Sequence, residues 1–402
     1  MGTLANKNQT SKDVSLLRSE IGYTRCSSSR WIGGVRDTLT PSGFLIESNR
    51  FHDFGLYKYV ISPGVVAGGV GTVIRKNEFK SALHMAILFG GNDHLIEKND
   101  IHHVTTITFD SGAIYAGRDL SSRGTMIRWN RLHHLDAEAP CDSHTSCIRM
   151  GIYMDDFLGG TTVYGNIFYK VQTGFFSNCG GDMNFTNNLF VEAEVAIRQV
   201  GLDLAQNLYQ PFLGTDQFLY MLLHLVPFEG ALWKSRYPEL ATRFSTWTNS
   251  TDPPPLGTTV PLGNSFETNV VVNFSTPRAW ACKTCPQKAN TTAPGWVPKI
   301  YPNNFIPNAS DGMFSLAYPW THNARFFDVK SGNVKLTNPG FFSGDPGGEL
   351  DFSLRSDSPL FKLGWLAIPE RDIGPTDNVV PASLLVQADS TRVGTGVNGD
   401  GV

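Results

Sequence analysis

The 402-residue sequence predicts an all-β fold, a parallel β-helix solenoid with a small helical insertion. Three observations predict it. An Asn-centred pattern recurs six times between residues 46 and 193. Its units are short, β-prone and punctuated by glycine, without helical periodicity. The pattern then stops near residue 200, where helix-like sequence replaces it, and fragments of it return near residue 264.

The six Asn residues are Asn49, Asn77, Asn99, Asn130, Asn166 and Asn188, spaced 28, 22, 31, 36 and 22 apart. Three residues before them stand Ile46, Ile74, Ile96, Ile127, Val163 and Phe185. Two residues after them stand Phe51, Phe79, Ile101, Leu132, Phe168 and Phe190. Five after them come Phe54, Ala82, Val104, Leu135, Val171 and Ala193. Every one of these positions is apolar in a chain that is 41% hydrophobic, so the register is not chance. Self-similarity at a period between twenty and fifty residues marks a repeat architecture. A floor of 22 residues suits one coil with short strands, and longer spacings are that floor plus loops. A leucine-rich repeat of similar length needs a Leu-x-x-Leu-x-Leu run, which is absent. Stacked coils align the Asn residues in a ladder, at a turn that suits Asn.

In chain order, residues 1–30 are expected to be disordered, a truncated N-terminal segment or the remnant of an earlier coil. Residues 31–402 form a single β-helix domain, with coils over 40–200. A helical excursion over 202–256 contains a helix from Asp216, a candidate N-cap, to Leu225 and a second helical run interrupted at Pro238. Gly263-Asn264-Ser265-Phe266 followed by Val270-Val271-Val272 reads as the solenoid resuming. Resumed coils and a C-terminal cap take up 257–380, and the cap closes the solenoid.

Composition narrows the function. A net charge of −3, from 33 basic and 36 acidic residues, argues against nucleic acid as the main partner. No apolar run is long enough to span a bilayer. Asn-x-Ser/Thr sequons at Asn8, Asn184, Asn249, Asn273, Asn290 and Asn308 give the chain a secreted, extracellular character. Met1 to Glu20 carries no signal-peptide core, so the signal peptide is not present in this chain. The alternative is a cytosolic chain with chance sequons. A disulfide between Cys141 and Cys147 is plausible, whereas Cys26 and Cys179 are expected to be free or buried. The single Cys282-Lys-Thr-Cys285 lacks a second ligand pair for zinc.

Aligning the coils by their Asn places Gly90, Gly117, Asp155 and Asn178 in one column, and Gly91, Arg118, Asp156 and Cys179 in the next. Neighbouring strands lie about 4.8 Å apart, so Arg118 sits beside Asp156, with Asp119 just beyond. The glycines leave a concavity where a sugar approaches the backbone. The plain alternative is a salt-bridged turn. His52, His102 and His133 share another column, and His103 and His134 the next. Pairs at that spacing suit a metal, but stacked outward side chains are ordinary in solenoids, and no metal site is assigned. His84 is nearer the charged columns and a candidate sugar contact. Tyr115, Tyr153 and Trp129 are candidate sugar platforms, or else core.

The Asn-centred units resemble the right-handed parallel β-helix family of pectate-lyase-like proteins. Asp110-Ser-Gly-Ala-Ile-Tyr115-Ala-Gly-Arg118-Asp119, Tyr153-Met-Asp155-Asp156 and Asn187-Asn188-Leu189-Phe190 resemble one carbohydrate-active branch, glycoside hydrolase family 141, of the α-L-fucosidase and xylanase type. Asp351-Phe-Ser-Leu354, Ser356-Asp-Ser-Pro359, Leu363-Gly364 and Ile373-Gly374 are similar to its usual ending. The resemblance implies a right-handed parallel β-helix solenoid with a small helical insertion, and a monomeric glycosidase acting on a polysaccharide or glycan without a cofactor. It implies a catalytic pair of Asp110 with Asp155 or Asp156, with Arg118 binding the substrate or holding the carboxylates in register. The column reading adds Asp119, Tyr115, Tyr153 and His84 as substrate-binding residues. Arg118 lowers the pKa of the carboxylate beside it, and the partner without it is the acid. Two other readings stand. A polysaccharide lyase or uronate epimerase uses an Arg base, with Ca²⁺ held by Asp155 and Asp156. A non-enzymatic β-helix binds glycans.

Overall fold

A computed structural model describes residues 11–58, 60–108, 110–135, 149–193, 195–200, 220, 222–248, 263–272, 299–300, 314–317, 339–343, 345–362 and 364–376. Three parallel sheets run along a right-handed solenoid. The first, 9-stranded, runs from Ser15–Leu17 to Lys299–Ile300. The second, 8-stranded, runs from Glu20–Thr24 to Val270–Val272. The third, 8-stranded, runs from Ser29–Gly33 to Phe314–Ala317. Each of the first seven coils supplies one strand to each sheet, so neighbours in a sheet there are successive coils of the chain.

The apolar register builds the core. All eighteen aligned positions are at most 2% exposed. Identical side chains stack on one another: Phe51 on Phe79 with ring centres 4.8 Å apart, and Phe168 on Phe190 at 4.7 Å. Such stacking adds to the area each ring buries.

The Asn residues solve the corner between the first and second sheets. Each Oδ1 accepts from the backbone N–H and the Nδ2 of the previous Asn, at 2.8–3.1 Å. Each Nδ2 also donates to a carbonyl of the previous coil, as Asn130 does to Ile96 at 3.0 Å. Backbone groups that a bend removes from the sheet are thereby satisfied. The left-handed turn conformation falls on the residue before the Asn, as at Lys76, Lys98 and Trp129. A second left-handed residue stands four after the Asn, as at Ser81, His103 and His134.

The ladder is longer than the six units. Ser19 donates its N–H to Asn49, and strands Ser15–Leu17, Glu20–Thr24 and Ser29–Gly33 form a complete first coil. Disorder over residues 11–30 is therefore corrected in favour of an earlier coil. Its Ser replaces Asn, while Leu16 and Ile21 keep the register. At the other end Asn269, not Asn264, continues the ladder from Asn188. Asn264 instead serves the preceding bend, accepting from the Met183 N–H and donating to the Gly180 carbonyl.

The excursion contains α1 (Ala231–Arg236) and α2 (Pro238–Phe244). Pro238 starts α2 rather than breaking a longer helix, a position where its missing N–H costs nothing. Leu223, Val226, Phe228, Trp233, Leu240, Phe244 and Trp247 pack on Leu120, Phe157 and Cys179 at the end of the third sheet. The expected N-cap Asp216 lies outside the described residues. So do Cys141, Cys147, Cys282, Cys285 and all the sequons except Asn184, which is exposed. Cys26 is free and exposed, and Cys179 is buried.

The described C-terminal residues strap the side of the solenoid, because the outward faces of Ile167, Tyr169, Leu189, Val191, Val270 and Val272 are apolar and need cover. Phe352, Leu360 and Trp365 supply it. The strap then runs back along the Asn corner. Leu366 bonds with Asn187, Gly374 with the Lys98 carbonyl, and Thr376 with Ser48. No helix among the described residues is long and apolar enough to cross a membrane.

Candidate functional site

The third sheet alternates its side chains. Ile114, Ala116, Ile152, Met154 and Phe175 enter the core. Tyr115, Tyr153 and Phe176 lie on the outer face with Val66, Met85, Leu88 and Met150. Gly117 pairs with Asp155, as the column alignment requires, and a Cβ on Gly117 would stand 3.0 Å from that of Asp155. Arg118 and Asp156 follow at the bend, both left-handed. Gly69 and Gly91 hold the equivalent positions in earlier coils. That conformation belongs to the coil's third corner, since Cys179 adopts it too.

Asp155 is buried and accepts four hydrogen bonds. Tyr115 donates to Oδ2 at 2.7 Å. Tyr153, Asn178 Nδ2 and the Asp156 N–H all donate to Oδ1, each at 2.8 Å. Burial, with the Asp155 charge, holds both tyrosine pKa values far above the ordinary phenol range, so both remain donors. Asp110 stands at the mouth of the site, exposed, its Oδ1 3.1 Å from the Tyr153 hydroxyl. Partial desolvation of its carboxyl, and then the Asp155 charge, raise its pKa. Asp156 is partly exposed and pairs with Arg118 Nε at 2.5 Å.

The expected lowering of the Asp156 pKa by Arg118 does not prevail. Burial and then Asp155 raise it, and Arg118 offsets only part of the rise. Beside the Asp155 charge, Asp110 and Asp156 both hold their protons above the ordinary carboxylate range.

The structure thus brings together Asp110, Asp155, Asp156, Arg118, Tyr115 and Tyr153. It does not bring Asp119 with them. Arg36 pairs with Asp119 at 3.1 Å, and the backbone N–H and hydroxyl of Ser121 both donate to it. Arg36 also holds Asn92 and Ser121, and its carbonyl accepts from the Trp233 ring N–H. Asp119 is therefore part of the brace that ties the helical excursion to the solenoid. His84 is buried, and burial depresses its pKa to about 4. It makes no hydrogen bond or ion pair with the carboxylates among the described residues. Tyr115 and Tyr153 are 4% and 3% exposed and pack edge to face, so neither offers a flat platform to a sugar. Trp129 is taken up by Arg128, whose guanidinium lies 4.1 Å from the ring centre. Gly90 is buried and forms no open floor. Sequence reasoning missed Asn178 as a ligand of Asp155, although it stands in the same column.

Comparison with known proteins addresses the architecture. The family model described as "Right handed beta helix region" matches residues 36–207. Within those bounds the described residues form the right-handed β-helix. All the carboxylates above lie inside that region. No curated protein and no solved structure matches the chain. The match is to the repeat and carries neither a substrate nor a reaction.

Proposed function

We propose that the protein is a glycoside hydrolase acting on a polysaccharide or complex glycan outside the cell, with Asp110 and Asp156 as its working carboxyl groups. The observation that carries this reading is the unequal treatment of three neighbouring aspartates. Asp155 is a fixed acceptor, Asp156 is bound directly by Arg118, and Asp110 is raised in pKa and open to solvent.

Arg118 bonds to Asp156 but acts on Asp110 only from a distance, so the cation favours the ionised form of Asp156 and the role of acid falls to Asp110. Asp110 then gives its proton to the glycosidic oxygen as the C–O bond breaks. Asp156 either attacks the anomeric carbon or takes a proton from water, and in both cases the leaving sugar departs neutral. Asp155 is a positioning residue. Its lone pairs are committed to two phenols, an amide and a backbone N–H, which disfavours its use as a calcium ligand in a lyase. Among the described residues only Nε of Arg118 is bonded, which leaves its terminal nitrogens for a substrate hydroxyl.

The experiment is a survey of wall polysaccharides and glycans, scored for reducing ends. Release that resists EDTA and gives no ultraviolet chromophore is expected. Asp110→Asn and Asp156→Asn should each lower turnover by about 10²–10⁴-fold with the fold intact. An unsaturated, ultraviolet-absorbing product would move the site to the lyase class. Binding without turnover on every substrate would make it a glycan-binding surface.

A further inference from the structure

The second sheet carries another cluster, on a different face from the carboxylates. Asp100, His102 and His133 each bring one ligand atom within 4.8 Å of the others. Asp100 and His102 lie on strand Asp100–His102, and His133 lies on the next strand, Arg131–Leu135. The strand register pairs His102 with His133, and their rings stack with centres 4.7 Å apart. His133 Nε2 is 3.1 Å from Asp100 Oδ1, and His102 Nε2 is 3.5 Å from Glu78 Oε1. All the Nε2 atoms of this stack therefore face the carboxylates.

The neighbouring histidines add a second, independent feature. His102 Nδ1 is 2.8 Å from His103 Nδ1, and His133 Nδ1 is 2.7 Å from His134 Nδ1. Each contact needs one hydrogen. When His102 and His133 supply it, their Nε2 lone pairs are left bare, that of His133 aimed at Asp100 and that of His102 at Glu78. Fixing a ligating ring through its other nitrogen is what partners behind a metal site do. His103 and His134 can do so because they stand at the left-handed corner of the coil, which turns each ring back on its neighbour.

We infer that Asp100, His102 and His133 form a binding site for a zinc-class divalent ion, with His103 and His134 setting the ring tautomers. The charge balance selects the class. Arg131 already pairs with Asp100 through two bonds of 3.0 and 2.8 Å. Lys80 and Arg50 stand against Glu78 at 3.4 and 3.6 Å. A hard ion such as Ca²⁺ or Mg²⁺ depends on oxygen ligands and gains little here. Zn²⁺, or Co²⁺ in its place, gains most of its binding from the imidazoles.

The test uses the full chain free of any polyhistidine tag and titrates it with Co²⁺. A visible absorption band that saturates at one ion per chain, and is displaced by Zn²⁺, is expected. His102→Gln, in the half-open part of the stack, should remove the band. His134→Leu should weaken Co²⁺ binding by about 10–100-fold. His52→Gln, in the same column two coils away, should leave it unchanged, and circular dichroism checks that each variant folds. Wild-type protein without a saturable band, or a band unaltered by His102→Gln, overturns the proposal. Polysaccharide turnover plays no part in these readouts, so the result stands apart from the carboxylate site.

Discussion

Asp155 accepts from two phenols, an amide and a backbone N–H, and this arrangement governs its neighbours. Removing the Tyr115 hydroxyl would leave a buried oxygen of Asp155 short of its donor. Tyr115→Phe should therefore cost about 1.5–3 kcal/mol of stability, measured by denaturant unfolding. Asp110 responds to the same charge in another way. Its pKa is raised in the folded protein by partial desolvation and by Asp155. Between its ordinary value and the raised one, the folded state binds more protons than the unfolded state. Stability is therefore full at low pH and falls as pH rises through that window. Asp156 contributes with the same sign. Asp110→Asn fixes the neutral form, so its Tm should exceed the wild type at about pH 7 and converge with it below about pH 4. A variant that melts below the wild type at the higher pH would show that Asp110 is not held against its ionisation. The sequence placed Arg118 beside Asp156 because the register of a stacked strand follows from counting. It could not place Asp119, whose partner Arg36 lies 83 residues earlier in the chain and on no repeat position.

Among the elements, the Asn-corner coil is the unit of stability. Phe168 fills the second position after its Asn and stacks on Phe190 with full burial. Phe168→Ala should cost about 3–5 kcal/mol, and urea unfolding will measure it. The coils were legible since an inward position recurs at a fixed offset from a residue with its own hydrogen-bonding task. The first coil was not, because Ser19 takes the place of that residue while the apolar offsets persist. The strap was hidden for a different reason. Its cue lies on outward positions, where Ile167, Leu189 and Val270 replace the Arg50, Glu78, Asp100 and Arg131 of earlier coils. Within the strap, Glu370 accepts from the Phe352 N–H at 2.8 Å. Burial first, and Asp351 as well, push its pKa up to about 7. The strap should thus loosen as pH rises from the ordinary glutamate value through about 7, and Glu370→Gln should remove that trend. Amide exchange over 339–376 at about pH 6 and about pH 8, corrected for intrinsic rates, reads it directly.

At the scale of the whole molecule, two additions brace one solenoid on different flanks. The helical excursion holds the corner after the third sheet through Trp233, Arg36 and Asp119. The strap holds the corner before the second sheet and covers the apolar outer face of its last strands. A solenoid needs such cover because each coil buries only its inward face and its stacking edges. Strap residue Trp365 is 4% exposed and packs in the cluster of Ile167, Tyr169, Leu189 and Val191. Its loss should cost about 3–5 kcal/mol, as for other buried aromatic residues. The more telling variant ends the chain before Pro339. It uncovers six apolar side chains in one patch, each worth about 1.5–3 kcal/mol when fully buried, less the entropy of ordering the strap. That protein should bind a hydrophobic dye and self-associate, because an exposed apolar sheet face seeks another surface. The carboxylate site draws its groups from the third sheet and its bends, with no side chain of the strap. If the shortened protein stays monomeric, binds no dye and melts with the full chain, the strap is an appendage and the solenoid carries its own stability.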